Sequence, residues 1–160
     1  MDWLFPWLLF LHVLAAIVAF GPTFSFSVIG AMGGAEPQHA NFATRLSHRI
    51  AQRLVYPIGI TLPITGAGMI LIRNMNLADR SYWWLGIAIV LYAIAFGYSF
   101  FVQNRLVHRV VELTSGPPGP GTGGPPPELP PLVKRIQKGG MFMGVLLVII
   151  VALMVLKPQF

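Results

Sequence analysis

Histidine is the side chain of this sequence best suited to bind a metal or to exchange a proton near neutral pH, and the chain has four. His12 lies near the middle of residues 3–20, a run without Asp, Glu, Lys or Arg. Ionisable side chains inside apolar segments of this kind usually face the protein interior and often have a function. His12 is therefore a candidate ligand for a cofactor or a metal. The alternative is a neutral histidine with purely structural hydrogen bonds.

A second pair, His48 and His108, lies in polar segments next to two other apolar runs. Both histidines are about two helical turns from the nearest apolar run, so neighbouring antiparallel helices would place them at a similar height. Together they would bind a metal or, with Arg49 and Arg109, an anionic group such as a haem propionate. The alternative is a pair of exposed histidines beside arginines. His39 carries no specific signal.

Other catalytic chemistry has little support in the composition. The chain has no cysteine, which excludes a disulfide, a thiolate metal site and a cysteine nucleophile. All acidic residues lie outside the apolar runs, so no buried carboxylate is available for proton relay or cation coupling. The sequence shows no paired carboxylates, glycine-rich phosphate loop or Ser-His-Asp pattern. We therefore expect a protein without enzymatic activity, and small-molecule transport is a third functional reading.

Four apolar segments carry or flank these residues, and each is long enough to cross a membrane. The hydrocarbon layer of a bilayer is about 30 Å thick and needs about 20 helical residues. We predict membrane spans at residues 3–29, 54–72, 81–104 and 139–156. Only 10% of the 160 residues are charged, against about 25% in a soluble domain. The whole chain is predicted to be one all-α, antiparallel four-helix bundle in the lipid bilayer.

Proline makes the first two spans irregular. Pro22 is expected to kink the first helix, which continues to about residues 30–34. In the second span Pro63 has no N–H to donate to the Gly59 carbonyl, so this carbonyl needs another donor within the membrane.

The depth of each residue predicts which polar groups meet. Counted from the same membrane face, His12 lies level with the middle of the second span and with Tyr92 of the third. The polar groups expected near His12 are therefore the Tyr92 hydroxyl, Thr61, Thr65 and the free Gly59 carbonyl.

Small residues and aromatic residues indicate how the spans pack and where they end. Ala93 and Gly97 in the third span, and Gly140 and Gly144 in the fourth, have the small-xxx-small spacing that permits close helix contact. An interfacial aromatic belt is predicted from five residues: Trp3, Trp7, Tyr82, Trp83 and Trp84.

The basic residues predict how the chain threads the membrane. Eight Lys and Arg flank one side and three flank the other, which places the basic segments in the cytoplasm and both termini outside a bacterial cytoplasmic membrane. The net charge of +6 is thus assigned to lipid contact and not to nucleic acid. The arginines expected to face lipid headgroups are Arg45, Arg49, Arg53, Arg105 and Arg109. A loop rich in Pro and Gly, residues 115–131, is predicted to be a cytoplasmic spacer.

Two segments resemble a known family. LHVLAAIVAFG, Leu11 to Gly21, and RLVYPIGITLPITGAGMIL, Arg53 to Leu71, are similar to the first and second helices of small bacterial four-span proteins described only as predicted integral membrane proteins. The opening helix is remotely similar to copper-resistance D-type domains and to the four-span protoporphyrinogen oxidase, in which a first-helix histidine is implicated in haem binding. That resemblance implies haem b or copper at His12. The sequence departs from it at Gly21-Pro22, which replaces a Gly-Gly ending, and in lacking a Lys in the third span.

The function that we expect from the sequence is that of a structural or accessory subunit. Its partners would be further copies of itself or the subunits of a larger membrane complex, for instance a respiratory or electron-transfer complex. The alternative is a haem b or copper protein that uses His12 as the ligand, with Tyr92, His48 and His108 as further cofactor-binding candidates.

Overall fold

The computed structural model describes residues 3–115 and 126–158 of the chain. These residues form four long helices and no strand. The first is α1 (Leu4–Ala35). The second consists of α2 (Ala40–Ile50), a π-helical turn (Ala51–Val55) and α3 (Tyr56–Ile72). The third begins with a 3₁₀ turn (Arg80–Tyr82) and continues as α4 (Trp83–Tyr98), a π-helical turn (Ser99–Gln103) and α5 (Asn104–Ser115). The fourth is α6 (Leu129–Leu156).

All four helices are long and apolar enough to cross a membrane. The predicted all-α membrane bundle is therefore confirmed. The first and second helices are antiparallel, because Leu8 lies against Gly68 and Gly33 lies against Ala43. The third and fourth helices are also antiparallel, because Tyr98 packs on Phe142 and Trp84 lies near Lys157. The first helix runs through Pro22 and ends at Ala35, in agreement with the predicted continuation beyond the proline.

Two close helix pairs form the bundle. α1 packs on α3 and α2, α4 packs on α6, and α1 also contacts α6. The core between α1 and α3 is built from Ala15, Ala19 and Leu62. Trp84, Leu85, Ala88, Leu146, Leu147 and Ile150 are the main buried residues of α4 and α6. Most other large apolar side chains point outward, as expected where lipid is the solvent.

Glycines allow the closest of these contacts. A Cβ on Gly68 would come within 3.2 Å of Leu8, and a Cβ on Gly139 would meet the side chains of Tyr98 and Gln103. By contrast, the positions where Gly140 and Gly144 would carry a Cβ have no atom within 4 Å. The GxxxG pair predicted in the fourth span therefore faces away from the bundle, and the neighbouring Gly139 makes the close contact.

The polar segments α2 and α5 extend the second and third spans and pack on each other. Asn41 joins them, because its Nδ2 donates to Thr114 Oγ1 at 2.8 Å and to Ser115 Oγ at 3.2 Å. The α2 helix begins at Ala40, so Asn41 lies inside its first turn. The histidines of interest, His48 and His108, belong to this paired extension.

The connection between the second and third helices is a short polar turn. Asn74 adopts a left-handed conformation (φ 49°) directly after α3, and the Met75 N–H donates to the Ile70 carbonyl at 3.1 Å. This is the hydrogen bond by which a Schellman motif ends a helix. The Asp79 carboxylate then accepts from the Ser81 N–H and starts the next helix.

Trp84 was predicted to be part of the interfacial aromatic belt, but it is buried in the structure. Trp3 and Trp7 are 71% and 63% exposed, whereas Trp84 is only 7% exposed. The indole Nε1 of Trp84 donates to the Ser81 carbonyl at 3.0 Å, which satisfies its polar atom within the protein. Trp84 therefore belongs to the core.

The loop predicted at residues 115–131 ends earlier in the structure, because its last residues are helical. α6 begins at Leu129, and Pro130 and Pro131 lie in its first turn. Proline is accepted there because the first N–H groups of a helix have no partner within the helix. Residues 116–125 of this loop lie outside the described residues.

Candidate functional site

The histidine of the first span contacts α3 through one hydrogen bond. His12 Nδ1 lies 2.8 Å from Thr65 Oγ1. The single hydrogen of the Thr65 hydroxyl is directed to carbonyls of its own helix, those of Thr61 at 2.9 Å and Leu62 at 3.1 Å. We infer that Thr65 accepts from His12 and that the proton of the neutral imidazole is on Nδ1.

This tautomer leaves the lone pair on His12 Nε2. A histidine held through Nδ1–H is in the form that binds a metal or a haem iron through Nε2. The ring also packs on α3, because a Cβ on Gly66 would lie 3.6 Å from His12 Cε1. The small residue at position 66 thus permits the imidazole to reach Thr65.

The other polar groups expected at this depth form a separate pair. The Tyr92 hydroxyl donates to the Gly59 carbonyl at 2.7 Å, which is the carbonyl that Pro63 cannot serve. The Thr61 hydroxyl donates to Ile58 within its own helix at 2.7 Å. Of the groups predicted near His12, Thr65 is its hydrogen-bond partner, whereas Tyr92 bonds to the backbone of α3.

Aromatic rings fill the space between α3 and α4. Tyr92 stacks on Phe96 with ring centroids 5.8 Å apart, and Phe96 stacks on Phe100 at 6.5 Å. Tyr56 packs edge-on against both phenylalanines and donates to the Ser99 carbonyl at 3.1 Å, where the π-helical turn begins. The sequence analysis assigned no role to Tyr56, Phe96 or Phe100, and the i, i+4 spacing of Tyr92, Phe96 and Phe100 is the signal from which this aromatic face could have been found.

His12 is the one histidine within the predicted spans, and the other three lie in polar segments. No group of three His, Asp or Glu in the described ranges is arranged to hold a metal ion.

Two cavities of the described structure lie away from His12. One, of about 270 Å³ between α1 and α6, is lined by Phe20, Phe24, Leu147, Val148 and Val151. The other, at the start of α6, is lined by Arg109, Glu128, Pro131, Leu132 and Arg135. His12 lines neither cavity.

The structure brings the second histidine pair together at the end of the bundle. The rings of His48 on α2 and His108 on α5 lie 5.9 Å apart, centroid to centroid, at 72°. His108 Nδ1 is 3.2 Å from Glu112 Oε1. Partial burial lowers the pKa of His48, and the neighbouring His108 lowers it further.

The arginines near this pair fall into two groups. Arg109 donates to Glu112 and to Glu128, each at 3.4 Å. The other predicted lipid-facing arginines are exposed, and no acidic side chain of the described ranges forms an ion pair with them: Arg45, Arg49, Arg53 and Arg105. His39 lies 3.7 Å from Glu36 and takes no part in the His48–His108 cluster.

Comparison with known proteins agrees with this architecture. A search of curated proteins and a search of solved structures gave no significant match. One family model, described as "Predicted integral membrane protein (DUF2269)", matches residues 6–158 and therefore nearly the whole chain. The resemblance of the first two helices to predicted integral membrane proteins is confirmed, and the chain belongs to this family of integral membrane proteins.

Proposed function

We propose that the protein is a structural or accessory subunit that associates within the membrane, with itself or with other membrane proteins. The observation that carries this proposal is the pair of small-residue faces on α4 and α6 that the bundle leaves uncovered. The bundle extends two basic helices on one side, which supports a bacterial cytoplasmic membrane as the location, with both termini periplasmic.

The uncovered faces contain the spacing typical of close helix contact. Gly97, Gly140 and Gly144 have no atom within 4 Å of the place where a Cβ would lie. Ala93, one turn before Gly97, is exposed. Both small-xxx-small pairs are therefore accessible to lipid or to a helix of a neighbouring protein.

Small residues matter in a bilayer because lipid removes the hydrophobic drive between helices. Helices then associate through close van der Waals packing, which small side chains permit. Close packing at a small residue already occurs within the bundle, between Gly59 and Phe96, Gly68 and Leu8, and Gly139 and Tyr98. An approaching helix would find the same kind of surface along Gly140 and Gly144.

Blocking one face tests the proposal. We expect the double substitution Gly140→Leu and Gly144→Leu to remove association, because large side chains would keep a second helix away. The measurement is chemical cross-linking in native membranes, followed by the mass of the detergent-purified complex. Gly86→Leu is the matched control, since Gly86 is equally open but is not part of a small-xxx-small pair. A wild-type chain that is monomeric in both measurements would contradict the proposal.

Binding of haem b or copper by His12 is a second candidate function. The hydrogen bond to Thr65 favours it, because Nε2 is left as the ligating atom. Because the other three histidines lie in polar segments, a second histidine ligand at this depth would come from another chain. The purified assembly would then show a Soret band or stoichiometric copper that His12→Ala abolishes and His39→Ala preserves. Protein with neither signal would exclude this candidate.

A further inference from the structure

We propose that His48 and His108 form a two-histidine site for a divalent late transition-metal ion, for which Zn²⁺ is the probe. The site would join α2 to α5 at the end of the bundle where these helices extend the spans. It does not depend on association between chains and is separate from His12.

The spacing of the two rings matches shared coordination. With a Zn–N distance of about 2.0–2.1 Å and near-tetrahedral angles, two imidazoles on one ion have centroids about 5–5.5 Å apart. The rings of His48 and His108 are 5.9 Å apart. The spacing of the rings is therefore about half an ångström wider than shared coordination requires, a difference within the reach of side-chain rotation.

Glu112 prepares His108 for this role. Its carboxylate lies 3.2 Å from His108 Nδ1, a position that favours the tautomer with the proton on Nδ1 and the lone pair on Nε2. A carboxylate behind the imidazole is the usual outer partner of a metal-binding histidine. Glu112 thus acts as a positioning residue that orients His108.

Two carboxylates lie beside His108 and offset the charge of the neighbouring arginine. Glu112 and Glu128 both pair with Arg109. An anionic group such as a propionate would have to compete with these two carboxylates for Arg109. A cation would meet two imidazole rings, and the Glu112 carboxylate lies behind that of His108.

The ligand type selects the metal. Imidazole binds Zn²⁺, Cu²⁺ and Ni²⁺ better than Mg²⁺ or Ca²⁺, which prefer oxygen. The side chains of His108 and Glu112 are 61% and 51% exposed, so an ion can enter from water. Because the described residues supply no third protein ligand, water would complete the coordination and binding would be weaker than at a four-ligand zinc site.

Titration of the full-length protein in detergent with Zn²⁺ at neutral pH tests the site. We expect one ion per chain in the wild type, and binding at least about tenfold weaker in His48→Gln and in His108→Gln. Glu112→Gln should weaken binding about 10- to 100-fold, as the loss of an outer partner does elsewhere. His39→Gln and His12→Ala are the matched controls and should bind as the wild type does. Thermal unfolding without metal shows that each variant is folded.

Electron paramagnetic resonance of Cu²⁺ bound to the wild type provides a readout that needs no variant. Hyperfine coupling to two imidazole nitrogens would support the proposal. A signal without two nitrogens would overturn it, and so would a wild type that does not bind or a His48→Gln variant with unchanged affinity.

Discussion

At the scale of single residues, the polar side chains between α1, α3 and α4 make defined contacts. Thr65 is the clearest case, because its oxygen accepts from His12 while its hydrogen is directed to the backbone of α3. The depth of the residues placed Thr65 among the four polar groups expected near His12. It was not enough to predict that Thr65 would be the partner and Tyr92 would not, because the rotation of each helix about its axis is decided by packing.

Removing the Thr65 hydroxyl should leave His12 Nδ1–H without an acceptor. For Thr65→Val we expect a loss of about 1–2 kcal/mol in the free energy of unfolding, the cost of an unpaired buried donor. Thermal and denaturant unfolding in detergent would measure it. Thr61→Val is the control, since the Thr61 hydroxyl bonds only within its own helix. Equal losses in the two variants would show that the contact with His12 contributes nothing.

A side chain at Gly139 should force Tyr98 and Gln103 to move. A Cβ there would meet the Tyr98 hydroxyl at 2.7 Å and the Gln103 amide oxygen at a still shorter distance. Because overpacking of this kind costs about 1–3 kcal/mol, we expect Gly139→Ala to lower the stability of the bundle by that amount. Gly140→Ala, next along the helix but open at its Cβ, should be nearly neutral in the same unfolding measurement. A neutral Gly139→Ala would show that α4 and α6 pack less closely than described.

At the scale of helices, the apolar runs were sufficient to predict the four spans. The helix interruptions were predicted only in part. Pro63 marks the place in α3 where a helical hydrogen bond is missing. The two π-helical turns, Ala51–Val55 and Ser99–Gln103, contain no proline, and no other feature of the sequence predicted them. They occur where each span meets its polar extension, and Tyr56 bonds to the carbonyl of Ser99 at one of them. Such turns depend on contacts with neighbouring helices and not on local propensity.

A double-mutant cycle tests how the bundle accommodates Pro63. Tyr92→Phe should cost about 0.6–1.7 kcal/mol in unfolding free energy, since the Gly59 carbonyl would lose its donor in the membrane. In a Pro63→Ala background residue 63 regains an N–H for that carbonyl. The same Tyr92→Phe change should then cost clearly less. An identical cost in both backgrounds would contradict the view that Tyr92 replaces the missing helical hydrogen bond.

At the scale of the whole molecule, the lipid environment explains why the sequence was enough to predict a membrane bundle but not which small residues lie inside it. Composition alone indicated a membrane bundle, because a chain with so few charges and so many apolar residues cannot cover itself with a polar surface. It did not indicate which small residues lie inside. Gly139 and Gly140 are adjacent and chemically identical, yet one is enclosed and the other is open. Their surroundings differ because the arrangement and rotation of the helices turn Gly139 toward Tyr98 and Gly140 away from the bundle.

The most direct test of the central claim, a four-span bundle with its basic helices in the cytoplasm, is labelling of single cysteines with a membrane-impermeant maleimide. The natural chain has no cysteine, so each variant reports one position. Gln38→Cys lies between α1 and α2, and Ala78→Cys lies in the turn before α4. In intact cells we expect labelling of Ala78→Cys alone, and labelling of Gln38→Cys only after the membrane is opened. Labelling of Gln38→Cys in intact cells, or of both positions, would contradict the account.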